Sequence, residues 1–213
     1  MGQFSDYLPG ILLAYSAFLL GIASPGPNIL AIIGTSMGVG RQSGIALAYG
    51  VSLGSLCWAL LTAFGLSAIL ATYASALLVI KIVGGLYLLW LAYKSFRAAA
   101  SHQDMSARAL NGGNRSPAGC FVRGFTIQMT NPKAALAWIA IISLGLGPEA
   151  PLWVAFAIVA GTAVLSLTFH FLYAVAFSTP FMVAIYARAR RWIQGVLGTF
   201  FAFAGFKLLL SRG

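Results

Sequence analysis

Three ionisable side chains interrupt the apolar stretches of this sequence: Lys81, Lys133 and His170. The only acids, Asp6, Asp104 and Glu149, fall at or beyond the ends of those stretches. No carboxylate is therefore available at depth to relay protons. Lys133 stands in TNPKA, directly behind Asn131 and Pro132. A charge placed there is costly without a partner or water, and a cavity where the ammonium faces a substrate carboxylate would supply one. A lysine that snorkels to one interface is the alternative, and it is the account that suits Lys81, close to the outer end of its stretch. His170 could exchange a proton near neutral pH, or stay neutral and hydrogen-bonded among helices.

A second polar interruption is SPGPN, Ser24 to Asn28. Proline inside a helix removes a hydrogen bond and clashes with the preceding turn. Lipid cannot satisfy the freed backbone groups, so such a break is tolerated only where protein or a watery cavity covers it. The half-helix that starts at Pro27 would present unpaired N–H groups and a positive dipole end, suited to a carboxylate. The carbonyls that end the preceding half suit an ammonium. Two such breaks, Pro25-Gly26-Pro27-Asn28 and Asn131-Pro132-Lys133, fit a small zwitterion; a plain structural kink is the other account of each.

The elements that would position these residues follow from composition. The chain has 213 residues, 60% hydrophobic and 8% charged, far below the quarter charged in a soluble domain. Apolar stretches of about 18 residues or more read as membrane spans. The expectation is an all-α polytopic membrane protein with six transmembrane helices, the first and fourth broken. The spans are Tyr7–Met37, Ser43–Ile69, Ala76–Phe96, Cys120–Leu146, Pro151–Thr179 and Trp192–Leu210. The net charge of +10 would suggest nucleic acid in a soluble protein. Here it lies between spans, where basic residues orient the chain, and no nucleic-acid partner is expected.

Nine basic residues fall in the connections after spans 1, 3 and 5 or at the span ends beside them: Arg41, Lys94, Arg97, Arg108, Arg115, Arg123, Arg188, Arg190 and Arg191. The other side has Lys81, Lys207 and Arg212. This asymmetry places the long loop between spans 3 and 4 in the cytoplasm and both termini outside. No Lys or Arg precedes the first apolar run, so it lacks the basic flank of a secretory signal and is expected to be retained.

The two halves echo each other. Pro25 superposes on Pro132 in one register; Gly85, Tyr93 and Lys94 superpose on Gly198, Phe206 and Lys207 in another. Three spans per half force opposite insertion, the inverted-repeat plan of many secondary transporters. The chain thus reads as one transmembrane domain, 1–213: a repeat over about 7–97, a loop over 98–119 and a repeat over about 120–210. Small residues at spacing four (Ala46, Gly50 and Gly54; Gly198 and Ala202) serve close helix packing within one molecule or, alternatively, a homodimer face.

With these motifs in order, the chain resembles the RhtB/LysE family of amino-acid exporters (LysE-type translocators) along essentially its whole length. The matching pieces are SPGPN (24–28), GVGRQSGIALAYGVSLG (38–54), KIVGGLYLLWLAYKSFR (81–97) and FVRGFTIQMTNPKAALAW (121–138). The resemblance implies a secondary transporter of the bacterial inner membrane, not an enzyme. It would export amino acids or close derivatives by alternating access, driven by the proton gradient and without cofactor or metal. Family substrates include lysine, arginine, threonine, homoserine, leucine and cysteine derivatives. Carried over residue by residue, Pro25, Gly26, Pro27, Asn28, Lys81, Gly84, Tyr87, Asn131, Pro132 and Lys133 match the family's motif positions and become the expected substrate-binding set. Span 5 departs: where a tryptophan-containing segment is expected, the chain reads LTFHFLYAVAF, with His170 as the proton-coupling candidate.

Other classes fit less well. A thiol–disulfide electron carrier could use Cys57 and Cys120, but neither has the proline neighbour expected of such a site. An intramembrane serine protease would need a Gly-x-Ser-Gly-type turn, and a metal exporter would need clustered carboxylate, thiolate or imidazole ligands. The sequence has neither.

Overall fold

Proline and glycine set the helix boundaries of this chain. The computed structural model describes residues 2–24, 26–72, 76–100, 116–147 and 150–210, which form eight helices and no strand. Helix α1 (Gly2–Ala23) gives way to α2 (Pro27–Gly38), whose first residue is proline. That position suits proline, because its missing N–H would have no helical partner anyway. Val39 and Gly40 both donate their N–H to the Thr35 carbonyl, at 2.9 and 3.1 Å. Gly40 takes φ +123°, a conformation open to glycine, and turns the chain into α3 (Arg41–Thr72).

After α4 (Ala76–Ala100), α5 (Pro117–Met129) opens with Ser116 as its cap; the Ser116 hydroxyl accepts from the Gly119 N–H at 3.2 Å. Helix α6 (Pro132–Gly145) again begins with proline. Helix α7 (Leu152–Ala176) follows Pro151, and α8 (Pro180–Leu210) ends the described chain. Among the described residues, four helical segments are long and apolar enough to cross a membrane: Ser5–Ala23, Arg41–Gly65, Leu152–Ala176 and Arg191–Leu210. Pro132–Gly145 is a shorter apolar helix.

The ends differ from the expected spans in one systematic way. Helix α8 starts at Pro180 rather than Trp192, so Arg188, Arg190 and Arg191 lie on a helix instead of in a connection. Helix α4 runs past Phe96 to Ala100, and α5 begins before Cys120. Hydropathy marks where apolar character stops. Backbone hydrogen bonding continues through Ala and Arg, both good helix formers. Residues 101–115 of the expected loop lie outside the described residues, as do Pro25, Asp104 and Glu149.

Two buried clusters hold the helices together. One joins α1, α2, α3, α6 and α7 through Phe18, Ile32, Leu47, Val51, Trp138 and Ile158. The other joins α4 and α8 through Leu88, Leu91, Leu197 and Phe201, and reaches α6 at Ala140. The α4–α8 contact is the most extensive in the molecule, followed by α3–α5 and α3–α7. Helices α3 and α5 touch backbone to backbone: a Cβ on Gly50 would run into the Phe121 carbonyl, and one on Gly124 into the Leu47 carbonyl. Gly54 likewise faces Gln128 of α5, and Gly198 faces Phe96 of α4. The small-residue stripes are therefore used for packing inside one molecule.

Candidate functional site

The junction between α1 and α2 lies against the junction between α5 and α6. Gly26 caps α2 with extended backbone (φ −109°, ψ 178°) and offers no side-chain bond to the helix. Its carbonyl takes the first helical bond, from Leu30 N–H at 3.0 Å. At the other junction Asn131 caps α6, and its side-chain oxygen accepts from the Lys133 N–H at 3.0 Å. The residues that begin the two helices are thus Pro27 and Pro132. Asn28 and Lys133 are each the second residue of its helix.

Those two side chains tie the junctions together. The Lys133 ammonium donates to the Ser24 hydroxyl at 3.2 Å and to the Ser24 carbonyl at 3.4 Å, crossing to the end of α1. Asn28 donates from its amide nitrogen to the side-chain oxygen of Gln128, on α5, at 3.0 Å. Gly26 lies beside both: a Cβ there would meet the Asn28 amide oxygen at 3.0 Å and the Lys133 ammonium at 3.5 Å. Ser24, Asn131 and Gln128 are buried. A lysine ammonium has three N–H donors, so Lys133 keeps donor capacity beyond Ser24. No carboxylate answers its charge among the described residues; Asp6, exposed at the start of α1, is the only acid they include.

The other expected residues divide. The Tyr87 hydroxyl donates to the Lys133 carbonyl at 2.8 Å, fixing the first turn of α6 from α4. Gly84, one turn earlier, packs on Leu208 of α8 and Ala140 of α6, a close-packing position away from the junctions. Lys81 lies on α4 at one turn further, and its side chain is outside the described ones. Gln128 is the residue that sequence inspection missed. Its signal is a long amide in an apolar stretch, two residues before the TNPKA interruption. Trp58 holds the same position by donating to the Gln128 carbonyl at 3.2 Å.

His170 forms a separate polar centre between α3 and α7. Its Nδ1 lies 3.1 Å from both the Ser52 and the Ser166 hydroxyls, and Ser52 also reaches the Ser166 carbonyl at 3.3 Å. The residue is 2% exposed, and Nε2 has no hydrogen-bond partner among the described residues. Ser166 is one helical turn from His170 on α7, a spacing visible in the sequence; that Ser52 meets them is not. Cys57 is half-buried on α3 and Cys120 buried on α5, both as free thiols.

Helices long enough to span a bilayer, with amides and an ammonium gathered where two helix pairs are interrupted, define an all-helical membrane protein with a polar centre. Residues 19–212 match the LysE type translocator family, and the chain belongs to it. It is 31% identical to the uncharacterized membrane protein YahN of Escherichia coli (strain K12) over 209 residues, covering 96% of this chain and 91% of that one. It is 29% identical to the threonine efflux protein of Salmonella typhi over 197 residues, 91% of this chain and 94% of that one. A leucine efflux protein of Klebsiella pneumoniae is 30% identical over 134 residues, 61% of each chain. No solved structure matches the chain.

Proposed function

We propose that this protein exports small amino acids or close derivatives, binding the zwitterion between the starts of α2 and α6. The observation that carries this is the Lys133 ammonium, which bridges two helix junctions with no carboxylate to answer it among the described residues. A buried charge without a partner is strongly unfavourable, and a substrate carboxylate would supply the partner. The free N–H groups at the start of α2 and its dipole would share that carboxylate. The carbonyls that close α1, Ser24 among them, would receive the substrate ammonium. Relatives named for threonine and leucine efflux support the substrate class.

In this proposal the chain is one transmembrane domain of six spans in the bacterial inner membrane. Helices α1 with α2, and α5 with α6, each make one broken span. The extensive α4–α8 and α3–α7 contacts support an inverted repeat, because each pairs an element with its counterpart in the other half. The connection over 101–115 would face the cytoplasm and both termini the outside. Rocking of the two halves would expose the site to each side in turn. His170 is the proton-coupling candidate, its Nδ1 shared between two serine hydroxyls and its Nε2 without a partner among the described residues.

Accumulation of labelled amino acids in cells with and without the protein tests the export. Intracellular levels should fall for one or a few side-chain classes; unchanged levels for every amino acid would overturn the assignment. Lys133→Ala and Asn28→Ala should abolish export while membrane insertion persists, and normal export by both would remove the site. His170→Gln should uncouple export from an imposed proton gradient. Joint Cys57→Ser and Cys120→Ser replacement should leave export intact; its loss would favour thiol chemistry.

A further inference from the structure

The α4–α8 pair leaves a long groove that the transport site does not use. It has a volume of about 1040 Å³ and is lined by Phe96 and Ala99 of α4 and by Arg191, Trp192, Val196 and Phe203 of α8, among others. That is the size of the larger ligand clefts. Its lining changes character along its length. At one end Arg191 donates through Nε to the Ala99 carbonyl at 3.1 Å, which leaves most of the five guanidinium N–H groups for another acceptor. Trp192 beside it is 81% exposed. From Arg191 to Phe203 the groove runs roughly 18 Å along the helix, at 1.5 Å per residue, and becomes mostly apolar, with Val196 and Phe203 each 61% exposed. Thr199, whose hydroxyl donates to the Gly195 carbonyl at 3.1 Å, is the one polar side chain in that stretch of the lining.

The polar end belongs to a cationic field. Lys94, Arg97, Arg188 and Arg191 are all exposed at the same ends of α4 and α8, with Lys94 4.4 Å above the Trp90 ring. Neither helix contains an acid anywhere along its length. The segment Arg191–Leu210 is apolar enough to cross a membrane, so Trp192 and the arginines mark its interface and Phe203 lies at depth. Basic pockets between helices at a membrane face bind anionic head groups.

We infer that this groove is a binding site for one anionic phospholipid. The Arg191 guanidinium takes the head-group phosphate, Trp192 sits at the glycerol level, and an acyl chain lies along Val196 and Phe203. Gly195 lies in the groove lining with open space beside its Cα, where a Cβ would meet nothing within 4 Å. That glycine therefore keeps the channel clear without serving helix packing.

Native mass spectrometry of the full chain, purified in detergent, tests this with phosphatidylglycerol and phosphatidylcholine of identical acyl chains. Wild-type protein should retain phosphatidylglycerol more tightly by roughly fivefold or more, the effect of one or more basic residues at an anionic head group. Arg191→Gln should erase that preference and leave phosphatidylcholine retention unchanged. Gly195→Leu, which starts a bulky side chain into the groove from a position with open space at Cβ, should weaken both lipids equally. Lys207→Gln, at the far end of α8, should change neither. Equal retention of the two lipids by the wild type, or full retention by Gly195→Leu, would overturn the assignment. So would disulfide linkage of Val196→Cys to a second copy in phosphatidylglycerol vesicles, because the face would then be a protein interface.

Discussion

The two helix junctions at the polar centre share a proline at the first helical position but differ in how the backbone behind it is satisfied. At α6, Asn131 closes the helix start with its own side chain, leaving Lys133 to reach outward. At α2, Gly26 has no side chain to give, so the first N–H groups lack such a cap. One junction is complete in itself and exports a charge; the other is left open beside that charge. In a bilayer each unsatisfied backbone group costs several kcal/mol, so in the proposed site a bound substrate would offset the cost of the open junction. The difference teaches that a repeated proline break need not mean two equal half-sites.

Removing the exported charge should break the comparison most completely. Lys133→Ala should reduce export to the level of cells lacking the protein, measured as retained labelled substrate. Next, Gly26→Asn would give the open junction the cap of its counterpart. It should lower export by about tenfold, because its side chain would compete for the α2 N–H groups and crowd Lys133. Purified protein should bind substrate correspondingly less tightly in calorimetry.

Opening the closed junction is the milder change. Asn131→Ala should cost about 1 kcal/mol of stability, the usual effect of losing an N-cap, read as a lower midpoint of thermal unfolding in detergent. Smallest of all should be the coupling between Asn28 and Gln128. A double-mutant cycle with alanine at each should give about 1 kcal/mol of interaction energy, as for one neutral hydrogen bond. A value near zero would mean that the two amides are neighbours without holding the junctions together.

A further contrast lies between the polar centres. Lys133 links its own α6 to the end of α1 and to α4, whereas His170 is enclosed by hydroxyls on two helices, Ser52 of α3 and Ser166 of α7. Sequence patterning foretold a difference in kind: Lys133 adjoins a helix interruption, and His170 stands in an uninterrupted run. Gln128 and Ser52 were not foreseen, since a lone amide or hydroxyl in an apolar helix is common and gains meaning only from what it faces. Residue similarity aligns Pro25 with Pro132, whereas the residues that start α2 and α6 are Pro27 and Pro132.

The chain's own composition determined that it is helical and membrane-bound, because only segments that satisfy every backbone group internally survive in lipid. Proline determined where helices α2 and α6 begin, because its ring and missing N–H act locally. Only the tertiary structure decided that the two beginnings meet, that Lys133 reaches Ser24 across them, and that Asn28 finds Gln128. Those contacts join residues a hundred or more positions apart, brought together by the glycine seam of α3 on α5 and the buried clusters around it. Local rules fix a helix end; nothing local can say what another helix will place beside it.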